Sequence, residues 1–363
     1  MAVNTTGLSR DLIIHPGETL NDVINQRGIS QSELAKRTGF SAKHISQVIS
    51  GKDNISTKFA RSLEYVLGID MRFWINLQNI YNQEILEYEE ANQISDEEIS
   101  IYKKLKDIVS YFSKIGIMDK CLNNMPAMII QLRKVLQVSD LTSIPNVITN
   151  SAFRASYSTN VDVYVLFAWK RLCELKSQMK EVSNPFDAEK LKRKIPDIKK
   201  SMFLPVSEIE NHLTELFSDC GITFNIVRHF KGAPVQGLIY KSNDGHINLC
   251  MTIRGSFADI FWFTLFHEIA HIINEDFHDK AIDYDFARND TEIQADLFAS
   301  NVLINNQDYQ EFLKSKDFSI ERIIDFAKSQ HVKPYIVIGR LQKEKILDYK
   351  VYSSYKDRYS WAE

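Results

Sequence analysis

The run from Phe257 to Asn274 most constrains this chain: it is apolar on nearly every face, yet it holds His267, Glu268 and His271 in the pattern H-E-x-x-H. So apolar a segment is a helix buried on all sides. Burying two imidazoles and a carboxyl in it is costly unless something satisfies them. Histidines four apart stand one above the other on a helix, so both rings can reach a single ion. Glu268, adjacent in the turn, can take a proton from water and return it to a leaving amine. Zinc suits a nitrogen- and oxygen-rich site without sulfur. With nine histidines in 363 residues, a chance H-E-x-x-H arises in roughly one such chain in fifty. The bland alternative, two core histidines on a buried helix, leaves their polar atoms without a purpose.

A third ligand has to come from a neighbouring element. Thr291-Glu292-Ile293-Gln294-Ala295-Asp296-Leu297-Phe298-Ala299 reads as a capped helix with Glu292, Ala295, Asp296 and Ala299 along one face. Its alanines are small enough for close approach to the first helix. Glu292 would ligate the ion, and Asp296, one turn on, would orient a ligand histidine. His278 is the rival ligand, because other zinc sites of this kind are closed by a histidine beyond the second helix turn. The glycine that those sites use in the intervening turn is missing here, which favours Glu292. Arg254, His278 and Tyr284 are candidates for stabilising a transition state, though each reads more readily as structural than as catalytic.

A length of 363 residues suggests two or three domains, and 44% hydrophobic with 25% charged residues is an ordinary folded composition. No stretch has the length and apolarity of a membrane span, and the N-terminus lacks a secretory pattern, so a cytoplasmic protein without membrane association is expected. Cys121, Cys173, Cys220 and Cys250 form no C-x-x-C pair and read as reduced, packed thiols. Net charge is −3, but its distribution is uneven. Ser30 to Arg61 carries six basic residues against Glu33 and Asp53, whereas Gln83 to Ser110 carries eight acidic residues against three lysines. A basic module inside an acidic chain is the footprint of a small DNA-binding domain.

That module has short helices with abrupt stops. Ser30 is a helix N-cap with Glu33 completing a capping box, Gly39 ends that helix, and Ser41 caps the next one through Ile45 and Val48 to Gly51. Residues Gln31 to Ser46 thus have the helix, tight turn, helix layout of a helix-turn-helix, with Ala35 allowing close approach. The second helix would enter the major groove of double-stranded operator DNA, with Lys43, His44 and Gln47 facing base edges. Gln31, Ser41 and Lys52 would contact phosphates and set register. Further on, Glu84 to Glu98 is acidic and expected to be exposed, and the lysine-rich 170–200 reads as a solvated helical face. From Val206 the pattern changes to a helix ending near Gly221, then strands at Ile222–Val227, Gly237–Tyr240 and Ile247–Cys250.

Two resemblances follow from these residues. Cys220-Gly221-Ile222, the glycine-containing hairpin, Phe263-Thr264-Leu265-Phe266-His267-Glu268 and the E-x-x-A-D-x-F-A run from Glu292 to Ala299 together resemble the ImmA/IrrE family of metallopeptidases over roughly 206–345. That resemblance implies a gluzincin-like site with Glu292 as third ligand, and limited proteolysis of a specific regulatory protein, often a repressor. It also implies that the helical segments around Ile320–Ala327 and Ile338–Leu341 form a small module following the peptidase core. The flanks His15-Pro16-Gly17-Glu18 and Phe73-Trp74-Ile75-Asn76-Leu77-Gln78 resemble HigA-type antitoxins of the XRE class. There the first motif is an architectural lead-in and Trp74 a core anchor, and members bind palindromic operators as homodimers.

The expected fold is therefore mainly α and multidomain: an all-α helix-turn-helix domain at 1–82, a helical middle region at 83–205, a C-terminal α+β gluzincin-like domain with a small sheet at 206–345, and a tail at 346–363. The expected function is a DNA-bound regulator carrying a zinc peptidase that cleaves a repressor- or antitoxin-like partner, or itself. Two alternatives stand beside it. One is a HigA-like antitoxin or autorepressor whose peptidase-like domain senses or binds a partner, such as a toxin, without catalysis. The other is a peptidase whose N-terminal module binds protein. An intact Glu268 argues against a retired active site, because a scaffold has no need of the proton carrier.

Overall fold

The computed structural model describes residues 10–119, 124–147, 161–242, 245–276 and 290–361. The chain divides into two compact units, Met1–Lys103 with Ile115–Leu141, and Lys104–Lys114 with Thr142–Glu363. The stretch 83–205, expected as a helical middle region, is shared between them. No helix among the described residues is long and apolar enough to cross a membrane.

The first unit opens with α1 (Pro16–Gln26), α2 (Gln31–Thr38), α3 (Ala42–Ile49), α4 (Thr57–Leu67) and α5 (Met71–Asn92). Each short helix starts where a side chain meets an orphan amide: Ser30 Oγ accepts from Glu33 N at 3.1 Å, Ser41 Oγ from His44 N at 3.1 Å and Ser56 Oγ from Phe59 N at 3.2 Å. Gly39 closes α2 with φ 74°, a left-handed turn that lets α3 leave at once. The Glu33 carboxylate does not complete the expected capping box; it turns along the helix to Arg37. Leu20, Leu34, Ile45, Val48, Phe59, Leu63 and Trp74 are buried in one core, each contributing about 1.5–3 kcal/mol of transfer free energy. Gln78 ties α5 to the loop after α3, accepting from Ile55 N at 2.8 Å and donating to Asn54 Oδ1 at 3.1 Å.

Beyond α5 come α6 (Asp96–Lys104), α7 (Lys106–Lys114), which belongs to the second unit, and α8 (Met125–Leu136). Glu98, expected in an exposed acidic stretch, is 1% exposed. Its carboxylate accepts from Arg133 Nε at 2.9 Å and from Leu141 N at 3.0 Å. A buried carboxylate is tolerable because a guanidinium and an amide both satisfy it.

The second unit continues with α9 (Ile144–Val147), α10 (Val163–Gln178), α11 (Ala188–Lys200), α12 (Val206–Asp219), then β1 (Ile222–Ile226), β2 (Gly237–Lys241) and β3 (Ile247–Met251). It closes with α13 (Ala258–Asn274), α14 (Asp290–Leu303), α15 (Asn306–Lys314), α16 (Ile320–Ser329) and α17 (Pro334–Lys343). β3 is central, parallel to β1 with Ile222 opposite Ile247, and antiparallel to β2 with Gly237 opposite Met251. Ile222, Phe224, Leu249 and Met251 join the main core with Trp262 and Phe266 of α13. Lysines read as a solvated face are partly absorbed by the fold. Lys180 and Lys176 donate to Phe224 O (2.6 Å) and Ile226 O (3.0 Å) along β1, and Lys199 donates to Val302 O and Leu303 O, both at 2.9 Å, at the end of α14. These cations satisfy carbonyls that an edge strand and a helix end leave open.

Residues after Ile346, expected as a tail, brace the start of α13. Asp357 O accepts from Ala258 N at 2.9 Å, Trp262 Nε1 donates to Tyr359 Oη at 2.9 Å, and Lys356 Nζ lies 2.6 Å from Asp259 Oδ2. Gly339 makes room for that pair, since a Cβ there would fall 2.3 Å from Asp259 Oδ2. Cys173, Cys220 and Cys250 are free and buried; Cys121 lies outside the described residues.

Candidate functional site

On α13 the angular spacing puts His267, Glu268 and His271 on one stripe. α14 packs beside it through Ala295 and Ala299, 1% and 2% exposed, and this close approach carries Glu292 and Asp296 to the histidines. His267 Nε2 is 3.1 Å from His271 Nε2 and 3.2 Å from Glu292 Oε2, while His271 Nε2 is 3.3 Å from Glu292 Oε1. These three residues form a group that could hold a metal ion. In a tetrahedral site with Zn–N of about 2.0–2.1 Å, neighbouring ligand atoms stand about 3.3 Å apart, so the spacing already matches.

Hydrogen bonding on the far side of each ring explains why the nitrogens converge. His267 Nδ1 lies 3.1 Å from Asp296 Oδ1 and His271 Nδ1 lies 2.8 Å from Asp276 Oδ1. A carboxylate only accepts, so each Nδ1 donates its proton outward, and a neutral ring held this way turns its Nε2 lone pair toward Glu292. Three acceptors facing one point need a cation or a proton between them. Burial pushes the His271 imidazole down, but the hydrogen bonds it donates to Glu292 and Asp276 and the charge of Glu268 outweigh it and raise its pKa to about 9. Hydrogen bonds from His267 and His271 hold Glu292 at about 2 against its burial. His267, helped by Lys343 3.3 Å away, likewise lowers Asp296. A metal bound here would compete with the proton on His271.

Glu268 is 2% exposed. Its carboxylate lies over Gly237 at the start of β2, where a Cβ would come within 2.1 Å of Oε1. Any other residue at 237 would displace it, and sequence reasoning passed over this glycine because the contact joins elements far apart in the chain. Asp276 was also missed. It reaches His271 because Glu275 ends α13 in a left-handed conformation, φ 52°, that folds the chain back; a non-glycine residue gives no sequence signal for that turn. His278 and Tyr284 lie outside the described residues. Arg254 is exposed and donates to Pro234 O at 2.7 Å, bracing the turn before β2.

In the first unit α3 exposes Lys43 and half-buries Gln47, while Gln31, Ser41 and Lys52 are on the surface. Ser46, not singled out from sequence, is exposed next to Lys43. His44 departs from the outward orientation expected of it. Its ring stacks on Phe40 with centroids 5.0 Å apart, meets Phe59 edge-on at 5.1 Å, and its Nδ1 lies 2.9 Å from Asp53 Oδ2. One turn before the core residue Val48, position 44 belongs to the inner flank of the helix.

Residues 20–74 match the helix-turn-helix family and residues 260–336 match the IrrE N-terminal-like domain family. The chain thus carries an XRE-type helix-turn-helix segment and, further on, an IrrE-like segment. Its N-terminal part is similar to the Pseudomonas aeruginosa antitoxin HigA, solved with the higBA promoter. They share 30% identity over 23% of this chain and 90% of that one, with a TM-score of 0.22. It is also similar to an addiction module antidote protein of the HigA family from Coxiella burnetii, at 23% identity over 27% of this chain and 91% of that one, with a TM-score of 0.19. No curated protein matches the chain.

Proposed function

We propose that this chain is a DNA-binding transcriptional regulator whose second unit is a zinc-dependent metalloendopeptidase, cutting a specific regulatory partner or the chain itself. The observation that carries this reading is the convergence of His267 Nε2, His271 Nε2 and Glu292 on one point, with both Nδ1 atoms already committed to carboxylates. His267, His271 and Glu292 would hold the zinc, and Asp296 and Asp276 orient the two rings. Bound there, zinc supplies Lewis acidity, polarising a peptide carbonyl and making water acidic enough to attack near neutral pH.

The protein's own contribution to cleavage falls to Glu268. It accepts a proton as the oxygen of water bonds to the carbonyl carbon, then passes it to the departing nitrogen as the C–N bond breaks. The narrow contact with Gly237 keeps that carboxylate in one place, which is what repeated proton transfer needs. In the first unit, α3 enters the major groove of operator DNA with Lys43 and Gln47 at base edges, and Gln31, Ser41 and Lys52 bind phosphates. A homodimer on a palindromic site suits this arrangement, in the cytoplasm where such DNA is found.

Glu268→Gln tests the enzymatic half. The variant is expected to retain one equivalent of zinc while cells expressing it lose the new protein N-termini that the parent generates. If the parent generates none, or the variant generates the same ones, the second unit acts as a sensor or a scaffold for a toxin or repressor partner.

A further inference from the structure

Gln236 stands immediately before β2, and its side-chain carbonyl accepts a hydrogen bond from the Thr264 hydroxyl at 2.9 Å. Thr264 lies one turn before His267 and Glu268, so it shares their stripe on α13. The Gln236 amide oxygen is turned to Thr264, and its Nε2 hydrogens, which meet no acceptor among the described residues, point away. The next residue, Gly237, is the one that lies against the Glu268 carboxylate. Arg254 further holds the approach to this segment by donating to Pro234 O at 2.7 Å. A neutral donor thus sits one residue before the glycine that lies against the proton carrier, at the head of a strand whose outer side has no strand partner among the described residues.

We infer that Gln236 is a substrate-binding residue, whose Nε2 donates a hydrogen bond to a backbone carbonyl oxygen of the peptide being cut. The inference rests on the metallopeptidase reading. Backbone carbonyls occur in every peptide, so this contact sets the position of the chain without selecting its sequence. An uncharged amide suits the place, because it neither competes with the three ligands for the cation nor repels it.

The test uses the zinc-loaded full chain and two probes, acetohydroxamate and the peptide hydroxamate acetyl-leucyl-phenylalanyl hydroxamate, with dissociation constants measured by calorimetry. Both probes engage the metal, and the second alone offers additional backbone carbonyls. Gln236→Met is expected to weaken the peptide hydroxamate about tenfold, the loss of one hydrogen bond, and to leave acetohydroxamate within about twofold. Thr264→Val removes the same tie between β2 and α13 and reports its structural cost. Equal loss for both probes, no loss for either, or equal weakening of the peptide probe by Thr264→Val and Gln236→Met overturns the inference. A parent chain that binds both probes equally overturns it as well while leaving the peptidase reading intact. A parent that holds no zinc, or binds neither probe, removes that reading and this inference together.

Discussion

Two histidines with carboxylate partners, one in each unit, show how differently the same pair is used. His44 in the first unit meets Asp53 at 2.9 Å, and His271 in the second meets Asp276 at 2.8 Å. Around His44 the neighbours are Phe40 and Phe59, so its ring serves as a packing plate on the flank of α3. Around His271 the neighbours are His267 and Glu292, so its Nε2 faces a second imidazole and a carboxylate. A carboxylate behind the ring orients a histidine in both cases; what stands in front of it decides whether the group could hold a metal ion. The lesson extends to the units themselves. A buried site reveals its chemistry through partners that must be satisfied, whereas an exposed side chain such as Lys43 makes few such demands on the free protein.

Removing what stands in front of the rings has the gravest consequence. Glu292→Ala should weaken zinc binding by more than about a hundredfold, beyond the 10–100-fold typical of an orienting group, leaving dialysed protein without metal by elemental analysis. Retention of one zinc per chain would show that the acceptors are satisfied otherwise. On the first unit, Lys43→Ala with Gln47→Ala should cost about a hundredfold in binding to the upstream DNA, since each base contact is worth about 1–3 kcal/mol. The parent's binding should also fall steeply with added salt. Fluorescence anisotropy with specific and scrambled duplexes checks both points, and unchanged preference in the double variant would remove α3 from the groove.

A finer comparison separates the two orienting carboxylates. Asp276→Asn should lower zinc affinity by about 10–100-fold, and Asp296→Asn by less. Asp276 has the more shielded side chain, 20% exposed against 48%, and Asp296 also shares its charge with Lys343. Competition with a chelating dye measures the order. The reverse order would place the controlling hydrogen bond on His267.

Legibility from sequence follows the range of the interaction. The strands at Ile222, Gly237 and Ile247 and the helix from Ala258 to Asn274 were readable because each is set by local periodicity and nearby breakers. Glu292 and Asp296 could be placed on one helix face by spacing alone. The pairing of β1 with β3 was not readable, nor was Gly237 beneath Glu268, because both depend on where distant segments meet. Glu98 misled for the same reason: a local run of acid hides the one carboxylate that Arg133 takes inside. His44 misled because polar residues on a short helix look equally outward until the aromatic neighbours are known.

The smallest expected effect concerns His15, the lead-in histidine of the first unit. Its Nδ1 caps α1 by accepting from Gly17 N at 2.9 Å, and its ring meets Tyr81 edge-on at 4.6 Å. Burial lowers its pKa from the ordinary 6.5, with Glu18's charge and a hydrogen bond to Asn54 opposing less strongly. The unfolded chain therefore binds a proton more readily than the folded one. Stability from this residue is complete above about pH 6.5 and declines as pH falls below that value, because the folded state then resists a proton that the unfolded state accepts. Amide exchange in α1, corrected for intrinsic rates, should show protection falling modestly between pH 7.5 and 5.5. His15→Asn can keep the cap, since asparagine serves well there, but cannot titrate, so its protection should lose this acid dependence. Equal acid sensitivity in the variant would assign the change to another group and leave His15 a purely structural cap.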